Sequence, residues 1–203
     1  MRVYGYVQAG GGSTRFGKDK ALVEFSGRTM LRRTTDLVGS VCDEVKIVAS
    51  AARYPESAPV IDDRWPGEGP LGGIITALFE TRKIGSEPSW SLIVGCDMPF
   101  LTMDWLQVMK DRALKSSAQL IVPQSDSGLE PLCACWSSDS APKLREAFDA
   151  GVRKVSLAMK CLSMEVLDES VWKRFDSDKR LFWNMNTPED YEEARRIIEK
   201  LHD

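Results

Sequence analysis

Val3-Tyr4-Gly5-Tyr6-Val7-Gln8-Ala9-Gly10-Gly11-Gly12-Ser13-Thr14-Arg15-Phe16-Gly17-Lys18-Asp19-Lys20 is a short apolar run that breaks into a glycine triplet and ends among cations. Val3 to Val7, β-branched and aromatic, reads as a strand. Glycines directly after a strand let the backbone approach a ligand without a Cβ in the way, and their N–H groups can point at phosphate oxygens. Two familiar phosphate loops do not fit. The Walker pattern needs Ser or Thr after Gly17-Lys18, where Asp19 stands, and the dinucleotide pattern G-x-G-x-x-G needs glycine where Arg15 stands. What remains is a glycine loop with Arg15 and Lys20, two cations suited to a triphosphate. Taken alone, the same stretch also suits a tight strand-to-helix turn with solvated charges.

Outward from this loop, strand patterns alternate with helical ones. Glu44 to Ala49, Trp90 to Val94 and Leu120 to Val122 read as strands, as does the short Val60-Ile61-Asp62. Thr29 to Val41 carries Leu31, Leu37, Val38 and Val41 on related helical faces, Gly72 to Thr81 carries Ile74, Ile75, Leu78 and Phe79, and Met103 to Leu114 is a further helix. Such alternation predicts a mostly parallel sheet covered on both faces. After Val122 the pattern changes. Gln124 to Gly128 is a turn, and the nearby strand Pro131 to Trp136 has too short a link for a crossover, which favours antiparallel pairing. Helices at Ala141 to Phe148 and Arg153 to Met159 and a strand at Met164 to Leu167 follow. The last helix has the clearest boundary: Thr187 as N-cap, Pro188 at N1, Glu189 and Asp190 in the first turn.

Composition narrows the chemistry. The 203 residues suit one large domain; 43% are hydrophobic and 28% charged, enough for a layered core. A net charge of −3 argues against a nucleic-acid partner, and no run approaches a membrane span, so neither partner is expected. The N-terminus runs straight into the glycine loop without a signal region, pointing to the cytoplasm. Five cysteines lack metal or redox spacing. The one histidine, His202, leaves no material for histidine-based triads or zinc sites, so carboxylates, lysines, arginines, backbone amides or a metal must carry any reaction.

Two further segments bear on ligands. Leu92 to Phe100 is a buried strand ending in Asp97, on the edge of a parallel sheet where ligands bind; an oxygen there can hold Mg²⁺ against triphosphate oxygens, although an aspartate before Pro99 can also simply cap a turn. Asp62 and Asp63 precede Gly67-Glu68-Gly69-Pro70-Leu71-Gly72-Gly73, which opens the next helix; a carboxylate here can accept hydrogen bonds from a purine or ribose or be plain surface.

Together these segments resemble the MobA family of molybdenum cofactor guanylyltransferases, within the larger group of nucleotidyltransferases with a nucleotide-diphospho-sugar transferase-like fold. Ala9, Gly10, Gly11, Ser13, Arg15, Gly17, Asp19 and Lys20 match the opening motif, with Gln8 and Phe16 departing; Gly69-Pro70-Leu71 with Gly73, and Cys96-Asp97 with Pro99, match two more. Pro131-Leu132-Cys133-Ala134, Gly151 to Val155 and Asn184-Met185-Asn186-Thr187-Pro188-Glu189 resemble segments of the pterin enzymes, so the resemblance spans nearly the whole chain. It implies a single Rossmann-like three-layer α/β/α sandwich over residues 1–203, mostly parallel with an antiparallel strand. Residues 1–122 would form a nucleotide-binding half and 123–203 an acceptor-binding half. It implies transfer of GMP from GTP to molybdopterin with Mg²⁺. Gln8, Ala9, Gly10, Gly11, Arg15, Lys20, Asp63 and Asp97 would bind nucleotide, with Arg15, Lys20 and Asp97 catalytic and Asp97 the metal ligand. Pro131, Arg153, Asn184 and Asn186 would face the acceptor. Family members with a nucleotide-binding asparagine after the second strand differ from this chain, which carries Ala49 there; with Gln8, this leaves as alternatives a CTP-dependent molybdopterin cytidylyltransferase or another small-molecule nucleotidyltransferase. A non-catalytic GTP-binding accessory protein of molybdoenzyme maturation is the alternative of another class, and transient contact with other molybdenum cofactor proteins fits either.

Overall fold

The computed structural model describes residues 1–10, 19–54, 58–84, 88–176 and 178–200. Its elements are β1 (Val3–Gln8), a hairpin of β2 (Glu24–Phe25) and β3 (Arg28–Thr29), α1 (Met30–Gly39), β4 (Glu44–Ala49), β5 (Val60–Asp62), α2 (Pro70–Ile84), β6 (Trp90–Gly95), α3 (Met103–Ala113), β7 (Leu120–Ser125), β8 (Gly128–Leu129), β9 (Cys133–Ser137), α4 (Ala141–Asp149), α5 (Val155–Ala158), β10 (Met164–Leu167), α6 (Glu169–Trp172) and α7 (Pro188–Lys200). The main sheet runs β10-β7-β9-β6-β1-β4-β5, with β8 against β7. β1, β4, β5 and β6 pair in parallel, as do β7 and β10, while β9 lies antiparallel to both β6 and β7. The mixed α/β architecture expected from the alternating pattern is therefore present, with one interior strand reversed.

Strand periodicity explains the layers. Successive side chains of β1 point to opposite faces: Val3 and Val7 join a core with Leu31 and Val38 of α1 and Trp105, Leu106 and Met109 of α3, whereas Tyr4 and Tyr6 join one with Leu71, Ile74, Ile75 and Leu78 of α2. Those four α2 side chains are wholly buried, each contributing about 1.5–3 kcal/mol of apolar burial. A third, smaller core joins the β2–β3 hairpin to α7 through Phe25, Met185, Ala194 and Ile198.

Several boundaries differ from the sequence reading by one to three residues, β7 running on to Ser125 among them, and three bear on the site. α2 begins at Pro70, two residues before the expected Gly72, because proline at N1 gives up an N–H that would have no helical partner. Arg153 and Lys154 precede α5 rather than starting it. β9 begins at Cys133, because Pro131 has no N–H for a ladder, and Leu132 uses its carbonyl to accept from the Gly95 amide at 2.8 Å.

Register then decides what meets where. Gln8 lies beside Val48 and Gly95, and Ala49 beside Asp62, so the carboxyl ends of β1, β4, β5 and β6 share one edge. The reversed β9 brings its beginning to that same edge, with Cys133 beside Val94. Helices α1 and α3 cover one face and α2 the other, so the crossovers change face around β1 and β6. That is the switch point at which open α/β sheets form a crevice.

Candidate functional site

The crevice holds two adjoining cavities. The larger, about 800 Å³, is walled by the ends of the four parallel strands and includes Gln8, Lys20, Asp63, Asp97 and Asn186; Ala9, Gly10 and Ala49 also line it. The smaller, about 500 Å³, includes Glu130, Pro131, Arg153 and Asn184, and the two share Gly69, Pro70 and Leu132. Most residues expected at the two substrates thus fall along one continuous wall. Arg15 and Gly11 lie outside the described residues.

Asp97 lies two residues beyond the end of β6. Its Oδ1 is buried and has no hydrogen-bond partner among the described residues. Space for it exists because position 95 is glycine: a Cβ there would stand 2.8 Å from Oδ1. Burial pushes the Asp97 carboxyl up, only partly countered by the charge of Lys20. A buried, partnerless carboxylate oxygen is costly in a merely structural position. It suits a hard cation such as Mg²⁺, which takes one or two carboxylates and completes its shell with water and phosphate oxygens. Among the described residues no cluster of three acidic, histidine or cysteine side chains forms a closed metal cage. One carboxylate beside a triphosphate remains the fitting arrangement.

Lys20 reaches the same cavity from a short turn, Lys20–Leu22, capped by Asp19, whose Oδ1 accepts from the Ala21 amide at 3.1 Å. The other Asp19 oxygen accepts from the Tyr54 hydroxyl at 2.7 Å, so this acid holds the turn in place. The Lys20 ammonium donates to Asn186 Oδ1 at 2.9 Å, a contact spanning nearly the whole chain. Asn186 sits at the entry to α7, where the Asp190 carboxylate accepts from the amides of Asn186 and Thr187 and Thr187 Oγ1 accepts from the Asp190 amide. Slight burial would raise the Asp190 carboxyl, but those amides outweigh it and hold it below the usual range. The Met185 amide donates to the Asp97 carbonyl at 2.8 Å, tying this segment to the end of β6. Asn186, expected on the acceptor side, therefore stands in the larger cavity beside Lys20, whereas Asn184 lines the smaller one and donates to the Phe182 carbonyl.

Gln8, the departure from the family motif, donates through Nε2 to the Pro70 carbonyl at 3.1 Å, and its Oε1 is buried without a partner among the described residues. The amide packs on the first turn of α2 so closely that a Cβ at position 73 would fall 2.2 Å from Nε2 and push the end of the Gln8 side chain aside. Asp63 stands across the cavity; its Oδ1 accepts from the Trp65 amide at 3.0 Å and lies 3.3 Å from the Thr76 hydroxyl, anchoring the loop before α2.

In the smaller cavity Arg153 is held from several sides. It pairs with Glu68, donates to the Phe148 carbonyl at 2.7 Å and stacks 3.9 Å from the Phe148 ring centroid. Residues the sequence reading passed over include Glu68, Arg53 and Glu130. Glu130 is 8% exposed, and burial pushes its carboxyl up. An acid just after a turn reads as surface, and only the reversed β9 brings it into the crevice.

Comparison with known proteins identifies relatives over nearly the whole chain. The family described as MobA-like NTP transferase domain matches over residues 5–162. A molybdenum cofactor guanylyltransferase of Desulfosudis oleivorans is 32% identical over 199 residues, covering 97% of this chain and 96% of the relative. Another from Syntrophotalea carbinolica is 27% identical, covering 94% and 89%. The crystal structure of molybdopterin-guanine dinucleotide biosynthesis protein A from Archaeoglobus fulgidus superposes with a TM-score of 0.81 at 24% identity, covering 97% and 99% of the two chains, a likeness of fold.

Proposed function

The chain belongs to the MobA-like NTP transferase family, and from that premise we propose that it transfers GMP from GTP to molybdopterin in the cytoplasm, releasing pyrophosphate. The observation that carries this reading is the meeting of Lys20, Asn186 and the buried Asp97 carboxylate in one cavity. The larger cavity takes the nucleotide and the smaller the acceptor. The halves 1–122 and 123–203 interlock, since Asn186 reaches the nucleotide side and Glu68 the acceptor side.

The reaction is an in-line attack by the acceptor's terminal phosphate on the α-phosphorus of GTP. A phosphomonoester has its second pKa near about 6, so the nucleophile is anionic at neutral pH and needs no side-chain base. Catalysis then consists of positioning and offsetting charge. Lys20, oriented by Asn186, meets the triphosphate, and Arg15 adds a second cation. Gln8, Ala9 and Gly10 would line the base and sugar, Gly11 would also bind nucleotide, and Asp63 would contact it. Asp97 would hold Mg²⁺, which supplies Lewis-acid neutralisation of the pyrophosphate being released.

The test offers GTP, CTP, ATP and UTP in turn with molybdopterin and Mg²⁺ and measures pyrophosphate and the dinucleotide product. GTP is the expected donor. Turnover with CTP alone would reassign the base to cytosine, and binding of GTP without turnover would make the chain an accessory protein.

A further inference from the structure

Glu130 is an acid in an unusual position. It is 8% exposed and lines the smaller cavity with Met98, Pro131, Leu132 and Val155. Its backbone is pinned on both sides, the amide donating to the Pro123 carbonyl at 2.9 Å and the carbonyl accepting from the Cys133 amide at 3.0 Å. One carboxylate oxygen accepts from the Ser125 hydroxyl at 2.6 Å, and that hydroxyl oxygen accepts from the Ser127 amide at 3.0 Å. The turn does not need this acid, because Ser125 Oγ also lies 3.3 Å from the Gly128 carbonyl. Among the described residues Glu130 forms no ion pair: of the two cations that line the same cavity, Arg153 pairs with Glu68 and Lys154 makes no bridge to Glu130. A buried ionised carboxylate is expensive unless hydrogen-bonded, and one hydroxyl uses only one of its roughly four acceptor positions. A site of this kind becomes favourable when a ligand brings donors to it.

Resting on the function proposed above, we infer that Glu130 recognises the acceptor by accepting two parallel N–H bonds, from the 2-amino group and N3–H of its 2-amino-4-oxopterin ring. Two side-by-side donors match the two oxygens of a carboxylate, and the four apolar neighbours suit a flat heterocycle. The cavity of about 500 Å³ is in the range that holds such ligands. Because the cavity shares Gly69, Pro70 and Leu132 with the nucleotide cavity, a ring held here leaves its phosphate arm directed toward GTP.

The probes are 6-hydroxymethylpterin and the corresponding lumazine, in which the 2-amino group is replaced by oxygen. The wild-type chain binds the pterin at least about 10-fold more tightly, because a carboxylate faces the lumazine carbonyl without a proton between them. Glu130→Gln presents one acceptor and one donor, which fit N3–H and the 2-oxo group, so the preference reverses toward lumazine while the KM for GTP is unchanged. Glu130→Asp keeps the charge and retains the pterin preference with weaker binding, which serves should the glutamine variant fold poorly. Equal binding of both probes by the wild type, binding of neither, or the same preference in Glu130→Gln would overturn the assignment. So would loss of Mn²⁺ binding, in the absence of nucleotide, confined to Glu130→Gln, since that makes the carboxylate a metal ligand. Failure of the parent reading looks different: wild-type protein would then transfer no GMP to molybdopterin whatever the variants bind.

Discussion

The two cavities on the sheet edge divide their charges differently. In the larger, a buried Asp97 oxygen has no partner among the described residues and the Lys20 ammonium is held by Asn186. In the smaller, the guanidinium of Arg153 is already committed to Glu68, a carbonyl and a ring face. The cations are therefore held differently: Lys20 by a side-chain amide, Arg153 by a carboxylate, a carbonyl and a ring together.

The largest effect is expected at Asp97. Asp97→Ala should lower kcat by about 10³-fold in a pyrophosphate-release assay with the fold intact by circular dichroism; unchanged turnover would erase the distinction between the cavities. Lys20→Ala should follow, at about 10²-fold in kcat/KM for GTP, and Asn186→Ala should cost less by loosening the same ammonium. Arg153→Ala should act on the other side, raising the KM for the acceptor about 10-fold while leaving that for GTP alone. An equal rise in both would merge the two cavities into one site. Gly73→Ala should be milder, raising the KM for GTP several-fold, on the order of 1 kcal/mol, because the new Cβ displaces Gln8 from the Pro70 carbonyl.

The smallest effect concerns stability and has the opposite sign. The Asp97 carboxyl is raised by burial, so the native state holds its proton more tightly than the unfolded chain does. That cost is absent below the ordinary aspartate range and grows as pH rises through the native value. Asp97→Asn should thus melt higher than wild type at neutral pH, by roughly 2–4 °C for each kcal/mol relieved, and the difference should vanish in acid. A lower melting temperature at neutral pH would mean that the charge stabilises the fold.

Much of the architecture is legible in the sequence alone. β4 and β10 fall at the expected residues, and the cap of α7 is formed by Thr187, Pro188 and Asp190, because period-2 runs and helix caps are local properties of the chain. Local pattern was silent on the two-residue strands β2, β3 and β8, which are too short to show a period. It also misjudged partners. Asn186 shares its motif with Asn184, yet one residue of separation between them divides the pair between two cavities.

The sequence by itself determined the alternating strands and helices, the glycine loop with its cations, and Asp97 at a strand end, since each depends on neighbours within a few positions. Only the tertiary structure decided that Asn186 meets Lys20, that Gly73 makes room for Gln8, and that Glu130 is buried in the crevice rather than on the surface. Those outcomes depend on strand order and on the reversal of β9. Packing of distant segments sets both, and no short window of sequence contains them.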